Sequence, residues 1–569
     1  MDSELYVPAA LLVASASATH LWFKNFEPRA YAPVLIAVFL VPAPLCFSLM
    51  RNSYSIFSAI LLGYSSFYVS LCTSIVAYRL SPLHPLAKYP GPFLARTTKI
   101  WTVWKAFDGK LPQYYERLHA QYGSIVRTGP NEISVIEKDM IPHILGSQGM
   151  PKGPLWEGRR ITPSKDKGNY SLIGQRDSNR HAQLRKAWNR AFSAEALLDY
   201  QDILVKRARE LASRLEATYR EGQKQVDIAK WISYFSFDFM GELAFGGGFD
   251  LLQNGDKNGY QAGMEKALMY VFRDFSEGRV KKCQSLPSLT QQIPWLAHAI
   301  RLLPVGGSAT SAFGAFAVKQ AKIRSTQNVT QKDLFYHLVT NTYSDEDESP
   351  FPLIVSNAVL AIIAGSDTTA SVLSNAVYYL LANPQDLDHV RQEIDQALPR
   401  LQDGSTPSDM QVLAGLPWLN AVINETLRLQ PPVPTGLQRA PERGSGGKMI
   451  GTIFLKEGTA VQVPPYVLHR DPRYFSPDPQ KFWPERWIRA GEDPKIVLEL
   501  GAFVPFSSGP ANCAGKRLAL LELRVVLALL ISRFELSFAT GWDVRNWEKN
   551  LRDRFVMSKG ELMVGLELR

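Results

Sequence analysis

Cysteine is scarce in this chain, with four among 569 residues. Two of them, Cys46 and Cys72, fall inside apolar runs, and only Cys283 and Cys513 are left for everything else. That excludes a disulfide-stapled scaffold and fits a reducing compartment. Repeats, low-complexity tracts and long linkers are missing after residue 100, so the bulk of the chain reads as one large unit. An aromatic-interleaved basic stripe is missing too. The net charge of +10 is spread along the chain without any nucleic-acid motif, which excludes nucleic acid as a partner.

Charge is also nearly absent from the amino-terminal region. Uncharged runs extend from Leu5 to Phe23, from Ala30 to Met50 and from Asn52 to Tyr78, each near or above the roughly 17–25 residues that a membrane-spanning helix needs. Up to three spans are expected, at about 5–23, 30–50 and 52–78. His20 and several Ser/Thr dilute the first, which leaves a cleaved signal or an interfacial helix open. Pro42 and Pro44 leave a kinked or re-entrant second segment open, and with it two spans or one. Asp2 and Glu4 precede the first run, whereas Arg79, Lys88, Arg96 and Lys99 follow the third. The positive-inside rule then puts the remainder of the chain in the cytosol, with Arg51 as the one charge on the wrong side. Sequons at Asn169, Asn328 and Asn424 would go unused in that topology. The chain thus divides into a membrane anchor over 1–80, a stiff proline-rich hinge over 81–99 and a globular unit over 100–569.

The chemistry concentrates in four segments. Near the carboxyl end, Phe506-Ser507-Ser508-Gly509-Pro510-Ala511-Asn512-Cys513-Ala514-Gly515 is a glycine-punctuated loop that opens an apolar helix around Lys516. Unpaired N–H groups and the helix dipole favour a thiolate there, and glycines let a flat macrocycle approach the backbone. A lone cysteine among small residues is, taken by itself, more often a buried core residue than a ligand. The second segment is a proline-free apolar stretch between Pro352 and Pro384, read as one long helix and interrupted by Ala364-Gly365-Ser366-Asp367-Thr368-Thr369. An acid beside two hydroxyls is costly inside a buried helix unless it is bonded or needed, and back-bonding hydroxyls can bend the helix and open a groove beside Gly365. Third, Glu425 and Arg428 share one helix face at i,i+3, with Phe482-Trp483-Pro484-Glu485-Arg486-Trp487 downstream. Fourth, His181 and Arg185 stand at i,i+4 on a helix that continues through Trp188 to Phe192.

Taken together and in this order, these segments resemble the cytochrome P-450 superfamily, from about Pro82 to the end of the chain. Phe506, Gly509, Cys513 and Gly515 fall on the family's haem loop, F-x-x-G-x-R-x-C-x-G, but Ala511 stands where the family commonly has a propionate-binding arginine. The resemblance implies a mainly α fold with a small β region, preceded here by transmembrane helices. It implies haem b with Cys513 as axial thiolate and metal ligand, with His181, Arg185 and Arg439 toward the propionates and His469 as a weaker candidate. Asp367 and Thr368 would relay protons for dioxygen activation, and Glu425, Arg428 and Arg486 would form a buried structural triad. The implied substrate pocket is Ala361, Gly365, Val433, Pro434, Thr435, Phe555 and Val556, which suits a hydrophobic terpenoid, steroid or aromatic.

The implied reaction is a monooxygenation fed by NADPH through a flavin-containing cytochrome reductase or a cytochrome b-type donor. Lys186, Arg190, Lys516 and Arg517 are the candidate docking charges. The implied setting is the endoplasmic reticulum membrane, multi-pass, with the catalytic domain in the cytosol, as in fungal members of secondary metabolism or detoxification. Two other readings stay open: a haem-thiolate isomerase or dehydratase without a reductase, and a non-enzymatic membrane haem sensor.

Overall fold

The computed structural model describes residues 3–25, 34, 36–44, 46–47, 54–159, 171–247, 249–262, 308–326, 332–340, 351–398 and 407–569. Cys283 and the sequons at Asn169 and Asn328 lie outside them, whereas Asn424 is half-buried on the helix Pro417–Leu429.

The element that organises the globule is the helix Phe351–Ala382, 32 residues and therefore about 48 Å long. Pro352 falls in its first turn, where a missing N–H costs nothing, and Pro384 opens the next helix, Pro384–Ala397. Most of its residues are buried. It can run through the core because its polar side chains bond locally. Ser374 donates to the Ala370 carbonyl at 2.7 Å and Asn375 to the Ser371 carbonyl at 2.8 Å, while Asn375 Oδ1 accepts from Trp547 Nε1 at 3.0 Å.

Two helices flank it. Ile228–Phe245 brings Phe235, Phe239 and Met240 into the same core, and Lys516–Arg533, the helix after the cysteine loop, packs on another side. Gly365 is where the first of these crosses most closely, since a Cβ there would run into the side chain of Met240. On that side Gly365 is a helix-crossing position against methionine, and it stays partly accessible beside Ala364.

A small four-stranded sheet forms the second layer. Its order is Ile125–Gly129, Glu132–Val135, Ala460–Val463, Leu437–Arg439, with a parallel pair in the middle (Ile133 opposite Val461) and antiparallel pairs outside. An isolated bridge adds Lys152 to Arg439 at its edge. Mainly helical with a small β region is thus the observed architecture.

Ahead of the globule, Ser3–Asn25 and Ile56–Leu80 are continuous helices that pack on each other. Between them the expected middle span is broken, with a five-residue π-helix at Ile36–Leu40 and a turn through Val41 and Pro42. Among the described residues two helices are long and apolar enough to cross a membrane, Ile56–Leu80 and the buried core helix Phe351–Ala382. The segment expected as a proline-rich hinge contains one helical turn, Phe93–Thr97.

Glu522 links the two core helices. It is buried on Lys516–Arg533, accepts from Ser236 Oγ at 2.9 Å and bonds the Thr369 hydroxyl, and burial raises its pKa from 4.5 to about 8. The folded protein holds this proton where the unfolded chain releases it, so stability falls as pH rises through that window. Urea titrations of Glu522→Gln should show that the fall in stability between about pH 5 and pH 8 is smaller than in the wild type. Equal slopes would place Glu522's charge outside the balance.

Candidate active site

The cysteine loop is held from behind. Glu425 is fully buried and accepts from Arg428 Nε and Nη2, both at 2.8 Å, and from Arg486 Nε at 3.1 Å. The Trp483 N–H and Trp487 Nε1 also donate to it, each at 2.9 Å. Burial pushes its pKa up, but the two arginines outweigh this and hold it below the usual value. Arg428 spends its remaining N–H groups on the carbonyls of His469, Pro479 and Lys481. His469 in turn donates from Nδ1 to the Arg428 carbonyl at 3.2 Å and accepts the Val504 N–H on Nε2 at 2.9 Å. Both ring nitrogens are occupied, so His469 is a link between the triad and the strand entering the loop and is removed from the propionate candidates.

Within the loop, the Cys513 N–H donates to the Phe506 carbonyl at 2.9 Å. Gly509 has φ +67°, and a Cβ there would strike the Leu145 and Gly146 carbonyls, so this glycine seats the loop on the sheet-side layer. At Gly515 a Cβ would meet only ordinary contact with Phe192. Desolvation by the surrounding protein raises the Cys513 thiol pKa. The Gly515 N–H, Arg185 and Lys516 pull it down, the influences expected of a helix start. They do not by themselves outweigh burial. Its side chain is nonetheless accessible, and so is Ala364 in the middle of the otherwise buried long helix.

Arg185 reaches the loop directly. Its Nη1 and Nη2 donate to the carbonyl and side-chain oxygens of Asn512 at 2.5 and 2.6 Å, a forked contact that ties the helix Ser178–Ala191 to the residue before the cysteine. Around it gather His181, Arg439 and Lys152, all buried. Burial lowers Arg439 to about 10 and, together with Lys152, Arg185 and Arg439, lowers His181 to about 3. Lys152 is pushed well down by burial and then by Arg439 and Arg185. No carboxylate among the described residues offsets this cluster. Sequence reasoning missed Lys152, which stands in an irregular loop; the Lys-Gly-Pro around it gives no periodic signal.

On the long helix, Ser366 and Thr368 donate back to the carbonyls of Ile362 and Ala364 at 2.7 and 2.6 Å. Burial raises the Asp367 pKa, and Lys559, also unforeseen, pulls the other way. Val433 and Phe555 converge on Gly436, and the Phe555 ring meets Trp156 edge-on at 5.8 Å. Thr435 Oγ1 donates to Asp553 at 2.5 Å. Pro434 and Val556 are buried beside them, and Ala361 is buried on the long helix.

The sequence profile of the family described as Cytochrome P450 matches residues 90–565. The chain belongs to the cytochrome P450 family. Cytochrome P450 monooxygenase FCK2 of Fusarium pseudograminearum is 33% identical over 503 residues, 87% of this chain and 84% of that protein. Cytochrome P450 67 of Uromyces fabae is 31% identical over 560 residues, 96% of each. Tryprostatin B 6-hydroxylase of Aspergillus fumigatus is 30% identical over 509 residues, 89% of this chain and 84% of that protein. The chain is a P450 monooxygenase, and the family implies haem iron with cysteine thiolate ligation. The residues present fit that group. Among the described residues, four cationic or basic side chains lack an anion, and His181 Nε2, Trp188 Nε1 and Ser507 Oγ are buried without a partner.

Removing the acid of the triad strands two buried guanidinium groups. Glu425→Gln should cost about 3–5 kcal/mol in urea unfolding, with loss of bound haem in the same preparation. A change within about 0.5 kcal/mol, as a surface substitution gives, would contradict the buried-triad account.

Proposed function

We propose that this P450 is a membrane-attached monooxygenase that inserts one atom of dioxygen into a hydrophobic organic molecule of fungal secondary metabolism or detoxification. The observation that carries the reading is the anion-free basic cluster beside Cys513. The names of the relatives, among them a hydroxylase of tryprostatin B, support the metabolic setting. Haem, when bound, supplies the oxygen-activating redox chemistry. Cys513 would ligate its iron, and Arg185, His181, Arg439 and Lys152 would take its two carboxylates, with Lys152 standing in for the cation that Ala511 lacks.

The chain's own residues then move protons and exclude water. Asp367, with its pKa raised by burial, keeps its proton to higher pH than an ordinary carboxyl group. Thr368 donates its hydroxyl hydrogen to the Ala364 carbonyl and keeps oxygen lone pairs free to accept a hydrogen bond; to relay a proton it would turn from that carbonyl and release its own hydrogen to the next acceptor as it takes one up. Val433, Phe555 and Trp156 offer an apolar, aromatic wall that orients a lipophilic substrate. Electrons would come from NADPH through a flavoprotein reductase, with a cytochrome b-type donor as second source. Lys186, Arg190, Lys516 and Arg517 are all exposed, as a docking face requires. The helices Ser3–Asn25 and Ile56–Leu80 would anchor the chain in the endoplasmic reticulum membrane with the globule in the cytosol.

A panel of terpenoids, steroids and aromatics tested for binding-induced spectral shifts, followed by mass analysis with labelled dioxygen, tests the reading. One labelled oxygen in product supports it; turnover without label and without reductase sinks it. Within that assay, Asp367→Asn should slow turnover about 100-fold or more with substrate affinity retained. An unchanged rate would remove Asp367 from proton delivery. Reversing Lys186 and Arg190 to glutamate should weaken reductase-driven but not dithionite-driven reduction, and equal loss of both would contradict docking there.

A further inference from the structure

Among the described residues, four other than glycine have a positive φ, and three of them, Asp250, Asp478 and Ser507, have short polar side chains. The fourth is Phe555, at φ +87°. It is the single residue that reverses the chain between Arg552–Arg554 and Val556–Ser558, antiparallel strands in which Arg554 stands opposite Val556. Three-residue reversals with a positive central φ are rare and strained, and glycine takes them most readily. A bulky aromatic persists there only where its surroundings over-determine it, and such strain gathers at ligand sites.

The surroundings of Phe555 do over-determine it. Asp553 accepts the Phe555 N–H on Oδ1 at 2.9 Å, as an Asx turn does, and the Thr435 hydroxyl on Oδ2 at 2.5 Å. Its own N–H donates to the Gly109 carbonyl at 2.8 Å, and Arg554 Nη1 donates to the Phe107 carbonyl at 3.1 Å, so one shoulder of the hairpin is fixed. The other is fixed at Met557, whose N–H donates to the Pro432 carbonyl at 2.9 Å and whose carbonyl accepts from Ser371 Oγ at 3.1 Å. Ser371 lies one turn beyond Asp367 on the helix Phe351–Ala382, which sets the hairpin beside the proposed proton relay.

Held in this way, the ring crosses Gly436, where a Cβ would come within 3.1 Å of Phe555 Cε2, and it meets Trp156 at 89°. Trp156 is fixed in turn, since its Nε1 donates to the Gln438 carbonyl at 2.9 Å. Gly436 and Trp156 are buried, whereas Phe555 is partly accessible. Phe555 is therefore the part of this wall that a substrate would touch, and Asp553, behind it, would not.

We infer that Asp553 is a positioning residue for substrate selection: by tying the Phe555 N–H to the Thr435 hydroxyl, it keeps the Phe555 ring against Trp156 and so limits how long a lipophilic molecule the pocket accepts. The inference rests on the haem-thiolate reading, and the test separates the two. Imidazole and a biphenyl-substituted imidazole are titrated into the full-length holoenzyme, and the Soret shift that nitrogen ligation gives is followed. Imidazole is too small to meet the wall, whereas the biphenyl group has to pass it. The readout is the ratio of the two dissociation constants, in which a general loss of fold or of haem affinity cancels.

Phe555→Ala should shift that ratio about tenfold or more toward the biphenyl compound, with imidazole affinity unchanged. Asp553→Ala should shift it in the same direction, because a released Phe555 relaxes to an ordinary φ and withdraws its ring. The double variant should match Phe555→Ala, since the aspartate acts through the ring. Asp553→Asn keeps an oxygen for the Phe555 N–H and an amide for the Thr435 hydroxyl to accept, and should bind both compounds as the wild type does. A ratio that Phe555→Ala moves and Asp553→Ala does not overturns the positioning role, as do shifts that add in full in the double variant. Asp553→Asn behaving like Asp553→Ala overturns it too, by assigning the effect to charge. A ratio unmoved in every variant overturns it by taking Phe555 out of the pocket. No Soret shift with imidazole in the wild type contradicts the haem reading instead. If Asp553→Ala does not retain haem, Thr435→Val is read in its place: a ratio between those of wild type and Phe555→Ala supports the inference, and an unmoved one overturns it.

Discussion

A carboxylate shut away from water, Glu425, sits between two equally buried arginines, and the presentation of the cysteine depends on it. Burying three charges costs several kcal/mol each, and the cost is offset only if every donor finds an acceptor. All five N–H groups of Arg428 do, two on Glu425 and three on main-chain carbonyls. Arg486 adds the carbonyls of Pro477 and Asp478. The network therefore pins the meander 469–486 to the helix Pro417–Leu429, and His469 passes that constraint to Val504 at the entrance of the cysteine loop. Chemistry at Cys513 needs the sulfur held in place; the triad, Gly509 and the Arg185–Asn512 fork hold its loop from three directions.

The opposite wall of the site is built on the same economy of local bonding. The helix Phe351–Ala382 crosses the core with hydroxyls bonded to its own carbonyls, and Gly365 lets Met240 approach closely at the helix crossing. Glu522 ties this wall to the helix that begins at the cysteine, so the two sides are joined by a buried acid and two hydroxyls. Between them the basic cluster of Lys152, His181, Arg185 and Arg439 makes sense beside a dianion: Lys152 donates to the carbonyls of Leu172 and Ile173 and Arg185 to Asn512, but no carboxylate among the described residues faces the cluster. Ala511 removes one cation from the loop, and the β-bridge of Lys152 to Arg439 brings another into range.

How much of this could be read from sequence depended on the range of the interaction. Pro352 and Pro384 bracket the long helix because proline acts within one turn, and the ExxR spacing fixes Glu425 on Arg428 for the same reason. Cys513, His181 and Arg185 were legible as motif positions. Lys152, Lys559, Trp156 and Asn512 were not, since each gains its role from a partner distant in sequence and stands in a segment without period. At Gly365 a glycine in a helix marks close approach, and sequence does not say that Met240 is what approaches on one side. His469 came forward as a propionate candidate only through the family resemblance, and its two ring partners, the Arg428 carbonyl and the Val504 N–H, lie far off in sequence.

The central claim is that Cys513, so held, is the axial ligand of a haem. The reduced full-length protein under carbon monoxide tests it most directly, compared with Cys513→Ser. The account predicts the red-shifted Soret absorption of a thiolate-bound haem in the wild type and its loss in the variant. A spectrum without that shift, or one that survives the substitution, would contradict it.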